Sequence, residues 1–293
     1  MIDRGDEKTP AAQAGQPSDR RELARTLPWM REGTAHLLAL VEQLTDDALR
    51  APSLLPGWTR AHLVAHLARN AEALTRLAKW ARTGIESPMY ADSGQRTAEI
   101  EASAAQSGPI LRSEVATSAR ILEESLAELD DEGWQAAVRT AQGRTVPAAE
   151  VPWMRNREVW LHAVDLGTGA SVADLPAGLV DLLLDDAAGW LSGKETCPSV
   201  LLAPHDRDRT WQLGVLGGAD TGSTTTAPAA DLAGWLTGRV PGSALPGELP
   251  ALGPAGVLGP AGVLGSPAGG SPVLPAVRHG DAVAGWTRPA AGA

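Results

Sequence analysis

A chain of 293 residues with 43% hydrophobic content can bury a real core, which excludes a wholly disordered protein. Its formal net charge of −10 argues against nucleic-acid binding, because phosphates are held by clustered Lys and Arg. The single cysteine, Cys197, excludes an internal disulfide, a Cys-rich zinc site and a two-cysteine redox motif, so a thiol used in chemistry here is expected to come from outside.

Residues 1–20 alternate polar, charged and turn-forming types without a hydrophobic period and are expected to be a disordered tail. They contain no signal-peptide core, and no later run of about 20 apolar residues could span a membrane, so a cytoplasmic protein is expected. From about Arg21 to Leu44, apolar residues at 23, 27, 30, 37, 38 and 41 recur at helical spacing, although Pro28 and Gly33 blur the start. A second helix over 61–82 has Thr59 as its cap and Gly84 as its terminator. A third, over 109–129, opens on Pro109 and carries Leu111, Val115, Leu122, Leu126 and Leu129.

Residues 134–146 look extended, with a turn at Gln142-Gly143, after which Pro147 or Pro152 can open a fourth helix ending at Leu166-Gly167. Four helices joined this way predict an antiparallel bundle over residues 21–170. A smaller α/β domain is expected over 171–243, with a helix at 179–191, strands at 199–203 and 210–215, and a short helix at 229–236. The fold class is therefore α+β. In residues 244–293 the hexapeptide Leu-Gly-Pro-Ala-Gly-Val occurs at 252–257 and again at 258–263, with a degenerate third copy from Leu264. A Pro/Gly repeat of this length suits neither a helix nor a central strand, so a disordered tail is expected.

The fourth helix places Glu158 and His162 at i and i+4, about 40° apart on one face and close enough to share a metal ion. Alone, that spacing is also that of an ordinary surface pair. The second helix offers His62 and His66. Its apolar arc spans roughly 140°, with His66 about 20° outside one edge and His62 about 60° outside, so His66 borders the interior. A lone helix histidine is commonly just a hydrogen-bonded, half-buried residue. Two His and one Glu on two helices, however, supply three ligands and leave a fourth tetrahedral position open, the pattern of a catalytic zinc site, and the same set also suits iron, manganese or nickel. Asp165, three residues after His162, could orient a ligand imidazole or make an exposed contact near the helix end. His36, His205 and His279 have no partner that sequence identifies. There is no P-loop, dinucleotide fingerprint, His-Glu-x-x-His motif or nucleophile elbow.

Three stretches carry a resemblance. They are Leu54-Leu55-Pro56-Gly57-Trp58-Thr59-Arg60-Ala61-His62-Leu63-Val64-Ala65-His66, then Lys79-Trp80-Ala81-Arg82-Thr83-Gly84 with Ser87-Pro88-Met89-Tyr90, and Thr140-Ala141-Gln142-Gly143-Arg144-Thr145-Val146-Pro147 with Trp153-Met154-Arg155 and the run from Arg157 to Gly167. Together they resemble the mycothiol-dependent maleylpyruvate isomerases, whose bundle is DinB-like. The resemblance implies zinc, or another divalent metal, on His66, Glu158 and His162, with mycothiol as thiol cofactor. It also implies a small dicarboxylate substrate, maleylpyruvate, isomerised to fumarylpyruvate in the gentisate branch of aromatic breakdown, with neither nucleic acid nor membrane as partner. The segment from Asp231 to Arg239 resembles the one bearing an arginine important for activity, so the resemblance implies a catalytic role for Arg239, as a cation for substrate carboxylates or a developing enolate. Two other readings use the same residues: a mycothiol S-transferase, and a non-catalytic metal-binding bundle.

Overall fold

The computed structural model describes residues 18–194, 197–214, 223–246 and 249. Expectations for residues 1–17, for the repeat tail beyond 249 and for His279 lie outside the described residues.

Four long helices make the first unit: α1 (Ser18–Glu42), α3 (Arg60–Thr83), α5 (Gly108–Ala127) and α7 (Val151–Asp165). α3 packs along α5, and α1 along α7. The signals for α3 act as the sequence suggests: Thr59 accepts from the His62 amide, and Gly84, at φ 70, ends the helix in the left-handed conformation that a side chain disfavours. α1 begins at Ser18 rather than near Arg21 and runs unbroken through Pro28 and Gly33. Gly33 has a packing reason. A Cβ there would lie 2.7 Å from Trp160 Cε2 on α7, whose indole N–H donates to the Trp29 carbonyl at 3.0 Å.

Two helices lie where periodicity gave no signal, α2 (Asp46–Arg50) and α4 (Ser93–Ala104). Each is started by a side chain: Thr45 accepts from the Ala48 amide, and Asp92 from the Gln95 amide at 2.7 Å. The short α6 (Asp131–Gln135), capped by Asp130, takes in Trp134 and Gln135, which the sequence predicts to be extended; after it the predicted turn is a hairpin of β1 (Ala137–Arg139) and β2 (Thr145–Pro147), with Gly143 at φ 79 between them. A single 3-10 turn, Ala148–Glu150, leads into α7, whose first turn carries Pro152.

The second unit contains α8 (Ala177–Ser192), β3 (Val200–Leu202), β4 (Trp211–Leu213), β5 (Ser223–Thr225) and α9 (Ala229–Leu236). β3 is central, antiparallel to β4 and parallel to β5, and α8 packs on both β4 and α9. The sequence expectation lacks β5, a polar Ser-Thr-Thr run without alternation. One cluster of buried side chains passes from Leu37 and Leu67 in the helices through Val159, Leu183 and Leu202 to Leu236. The protein is thus α+β, with its interior continuous from bundle to sheet. Among the described residues, no helix is long and apolar enough to cross a membrane.

Candidate metal centre

α7 runs through the middle of the molecule, and every residue of it except Met154 is buried. Six of those residues are polar or charged, so each needs a partner. Arg155 Nη1 donates to the Leu67 carbonyl at 2.9 Å and to Asn70 Oδ1 at 2.8 Å, both on α3. Asn156 donates to the Thr26 carbonyl on α1 at 2.7 Å. These bonds fix the rotation of α7 between its neighbours. Loop bonds secure its far end: the Leu54 amide donates to the Asp165 carbonyl at 2.8 Å, and Arg60 Nε to the Leu166 carbonyl at 2.6 Å.

With the rotation fixed, Glu158 and His162 face His66 of α3. Glu158 Oε2 lies 2.9 Å from His66 Nε2 and 3.3 Å from His162 Nε2, and one candidate ligand atom from each residue lies within 4.8 Å of the others. The two imidazoles stand nearly perpendicular, with ring centres 5.0 Å apart. All three side chains are at most 3% exposed.

The donor set fits a divalent ion, and one atom makes the point. His162 Nε2 is buried without a hydrogen bond, its approach to Glu158 having the wrong geometry for one. A buried orphan of this kind is costly unless something else meets its lone pair. The other nitrogen is committed: Nδ1 donates to Asp165 Oδ2 at 2.8 Å, leaving Nε2 turned toward Glu158 and His66. Asp165, also buried, makes the orienting contact rather than an exposed one.

Asp165 is held in turn by Arg239. The guanidinium forks onto the carboxylate, Nη2 to Oδ2 at 2.6 Å and Nε to Oδ1 at 3.1 Å, while Nη1 donates to the Thr237 carbonyl. The arginine expected to meet substrate is therefore bonded to the residue that orients the His162 ring.

The electrostatics suit ligation at His66 and Glu158, whereas at His162 burial is outweighed by the hydrogen bond with Asp165 and the adjacent Glu158, which raise its imidazole and leave a proton for an incoming ion to displace. Burial pushes His66 down to about 4, so its imidazole is neutral at ordinary pH. Burial alone would raise Glu158, yet the adjacent His66, which also shares a hydrogen bond with it, and the nearby His162 ring hold its carboxyl well below the usual range. A neutral imidazole and an ionised carboxylate are the forms that bind metal.

The remaining histidines are accounted for or distant. His62 is the third residue of the capping box of α3: its Nδ1 lies 2.7 Å from Thr59 Oγ1, and its Nε2 pairs with Glu101 at 3.3 Å. His36 stacks on Trp160, and His205 sits in an exposed turn. Cys197 is half-buried, its thiol directed at the Pro198 carbonyl.

Three neighbours of the cluster were not singled out by sequence. Trp58 meets His66 edge-on at 5.5 Å, and Arg96 Nη2 lies 3.2 Å from His66 Nδ1, its guanidinium 5.8 Å from the Tyr90 ring centre. Trp58 and Tyr90 fall inside the family-like stretches. Arg96 stands on α4, where no pattern pointed.

The mycothiol maleylpyruvate isomerase N-terminal domain model matches residues 30–167, the span that holds His66, Glu158 and His162. A crystal structure of the mycothiol-dependent maleylpyruvate isomerase is 34% identical, covering 74% of this chain and 89% of its own, with a TM-score of 0.69. The chain belongs to the mycothiol-dependent maleylpyruvate isomerase family. A histidine-to-alanine mutant of that isomerase superposes similarly, at 34% identity and a TM-score of 0.71, covering 78% of this chain and 95% of its own. No curated protein matches the chain significantly. The likeness to the family structures reaches beyond the bundle into the second unit, since 74% of the chain is more than the 138 residues from 30 to 167.

Proposed function

We propose that this member of the family is a mycothiol-dependent cis–trans isomerase acting on a small dicarboxylate, with maleylpyruvate as substrate and fumarylpyruvate as product. The orphaned, oriented Nε2 of His162, facing Glu158 and His66, is the observation that carries the reading. His66, Glu158 and His162 would hold the ion, with zinc the expected metal for two imidazoles and one carboxylate.

A divalent ion there supplies positive charge that favours a thiol in its thiolate form. Mycothiol supplies the sulfur: reversible addition to the double bond leaves a single bond free to rotate, and elimination restores the alkene and the thiol with all atoms balanced. The chain's own work is binding and orientation. Asp165 fixes the His162 ring, and Arg239 fixes Asp165. Arg96 offers a substrate carboxylate a cation beside the ligating residues, where charge-assisted pairing is strongest. Arg239 remains the arginine on which turnover depends, acting through Asp165, and the reaction takes place in the cytoplasm.

Metal-loaded protein given maleylpyruvate with and without mycothiol tests this. Fumarylpyruvate should form only with the thiol present and catalytically. Stoichiometric consumption of mycothiol into an adduct would replace isomerisation by S-transfer, and the absence of both would leave a metal-binding bundle without catalysis.

A further inference from the structure

α7 has a second polar side. Arg157 stands about 100° round the helix from Glu158 and faces a cavity of about 520 Å³ lying between the first half of α7, the β1–β2 hairpin and α8. That volume suits a small-molecule ligand. None of His66, Glu158 or His162 lines it, so it is distinct from the metal centre.

Six side chains set its chemistry: Trp153 and Trp190, Arg144 and Arg157, Glu150 and Asp186. The wall is already organised. Asp186 Oδ2 accepts from the Trp153 indole N–H at 2.7 Å and from Arg157 Nη1 at 3.4 Å, and the Arg157 guanidinium lies 5.8 Å from the Trp153 ring centre. Arg157 is 7% exposed, and its Nε is buried with no hydrogen-bond partner. The Lys194 ammonium sits 4.4 Å from the Trp190 ring, covering one face.

Two guanidiniums set against two carboxylates leave little net charge with which to select an anion or a cation. What remains is indole surface interleaved with donors and acceptors. Indole takes the C–H face of a saturated ring, while carboxylates and guanidiniums take its hydroxyls. The combination favours a neutral polyhydroxylated ligand over a charged peptide.

We propose that this cavity binds such a ligand and, resting on the function proposed above, that it holds the glucosamine–inositol portion of mycothiol. The N-acetylated cysteine of that thiol leaves it without the charges that glutathione carries. The reach is short: Met154 lines the cavity one helical turn before Glu158, about 6 Å away along the axis of α7.

The test uses the full chain, metal-loaded, titrated with thiol-free N-acetylglucosaminyl-inositol and followed by calorimetry and tryptophan fluorescence. Saturable binding is expected, weakened about tenfold by Trp190→Ala and by Arg144→Ala, the loss of one good contact each. Arg144 is exposed, so its substitution keeps the test valid where the tryptophan variant fails to fold. In turnover the same variants should raise KM for mycothiol about tenfold, with metal content at the wild-type level. No binding of the thiol-free ligand, or tighter binding of glutathione, would overturn the assignment. A chain that binds the pseudodisaccharide yet turns over no maleylpyruvate keeps the cavity and loses the isomerase. An active isomerase whose KM for mycothiol is unmoved in both variants loses only the cavity.

Discussion

His62 and His66 stand one turn apart on α3 and do different work. His66 is buried against Glu158, whereas His62 closes the capping box and reaches Glu101. His66→Ala should therefore abolish tight metal binding, and His62→Ala should keep the metal while costing about 1 kcal/mol of stability through the weakened cap. Metal content and a denaturation curve on both variants check this; equal metal loss would place both histidines at the ion. Arg239 calls for a different measurement. If it acts by holding Asp165, Arg239→Ala should weaken metal affinity in a chelator competition by up to about tenfold as well as lowering turnover, and Arg239→Lys should recover only part of each, because lysine keeps the charge and loses the planar fork. Full metal affinity with turnover lost would instead assign the guanidinium to substrate.

Among the elements, α3 and α9 were legible because their signals are local: a capping threonine and a terminal glycine for one, a compact apolar octapeptide after Pro228 for the other. The clustering of the candidate ligands was legible for a related reason, since helical phase separates the buried His66 from the more exposed His62. α4 was not, because its apolar residues are too sparse to mark a face, and Arg96 went unseen with it. β5 exists through its pairing with β3, a tertiary contact that a polar tripeptide cannot announce. Nor did the sequence disclose the fork of Arg239 on Asp165, which joins residues 74 positions apart. α1 shows a different gap, where the glycine that blurred the expected start of the helix is a packing device. Gly33→Ala gains about 1 kcal/mol of helix propensity but drives a methyl into the Trp160 indole. A net loss of about 1–3 kcal/mol is expected from such overpacking, read as a lower urea midpoint. A more stable variant would show that α1 can move off α7 freely.

Across the whole molecule, the buried cluster that runs from the helices into the sheet gives the two units one shared interior. The Arg239–Asp165–His162 line crosses the same boundary with directional bonds, from the residues just after α9 to the ligating face of α7. Two sites joined in this way exert reciprocal influence: whatever steadies one end must, to the same extent in free energy, steady the other. An ion drawn to His162 is then also a clamp on the C-terminal unit, and removing it should loosen a segment that never touches it. The amides of Arg239 and Val240, which donate to the Gly234 carbonyl, are the place to look. Chelation should speed their hydrogen exchange and restored metal should slow it again. Exchange there that ignores the ion would mean that the second unit stays docked on its apolar contacts alone.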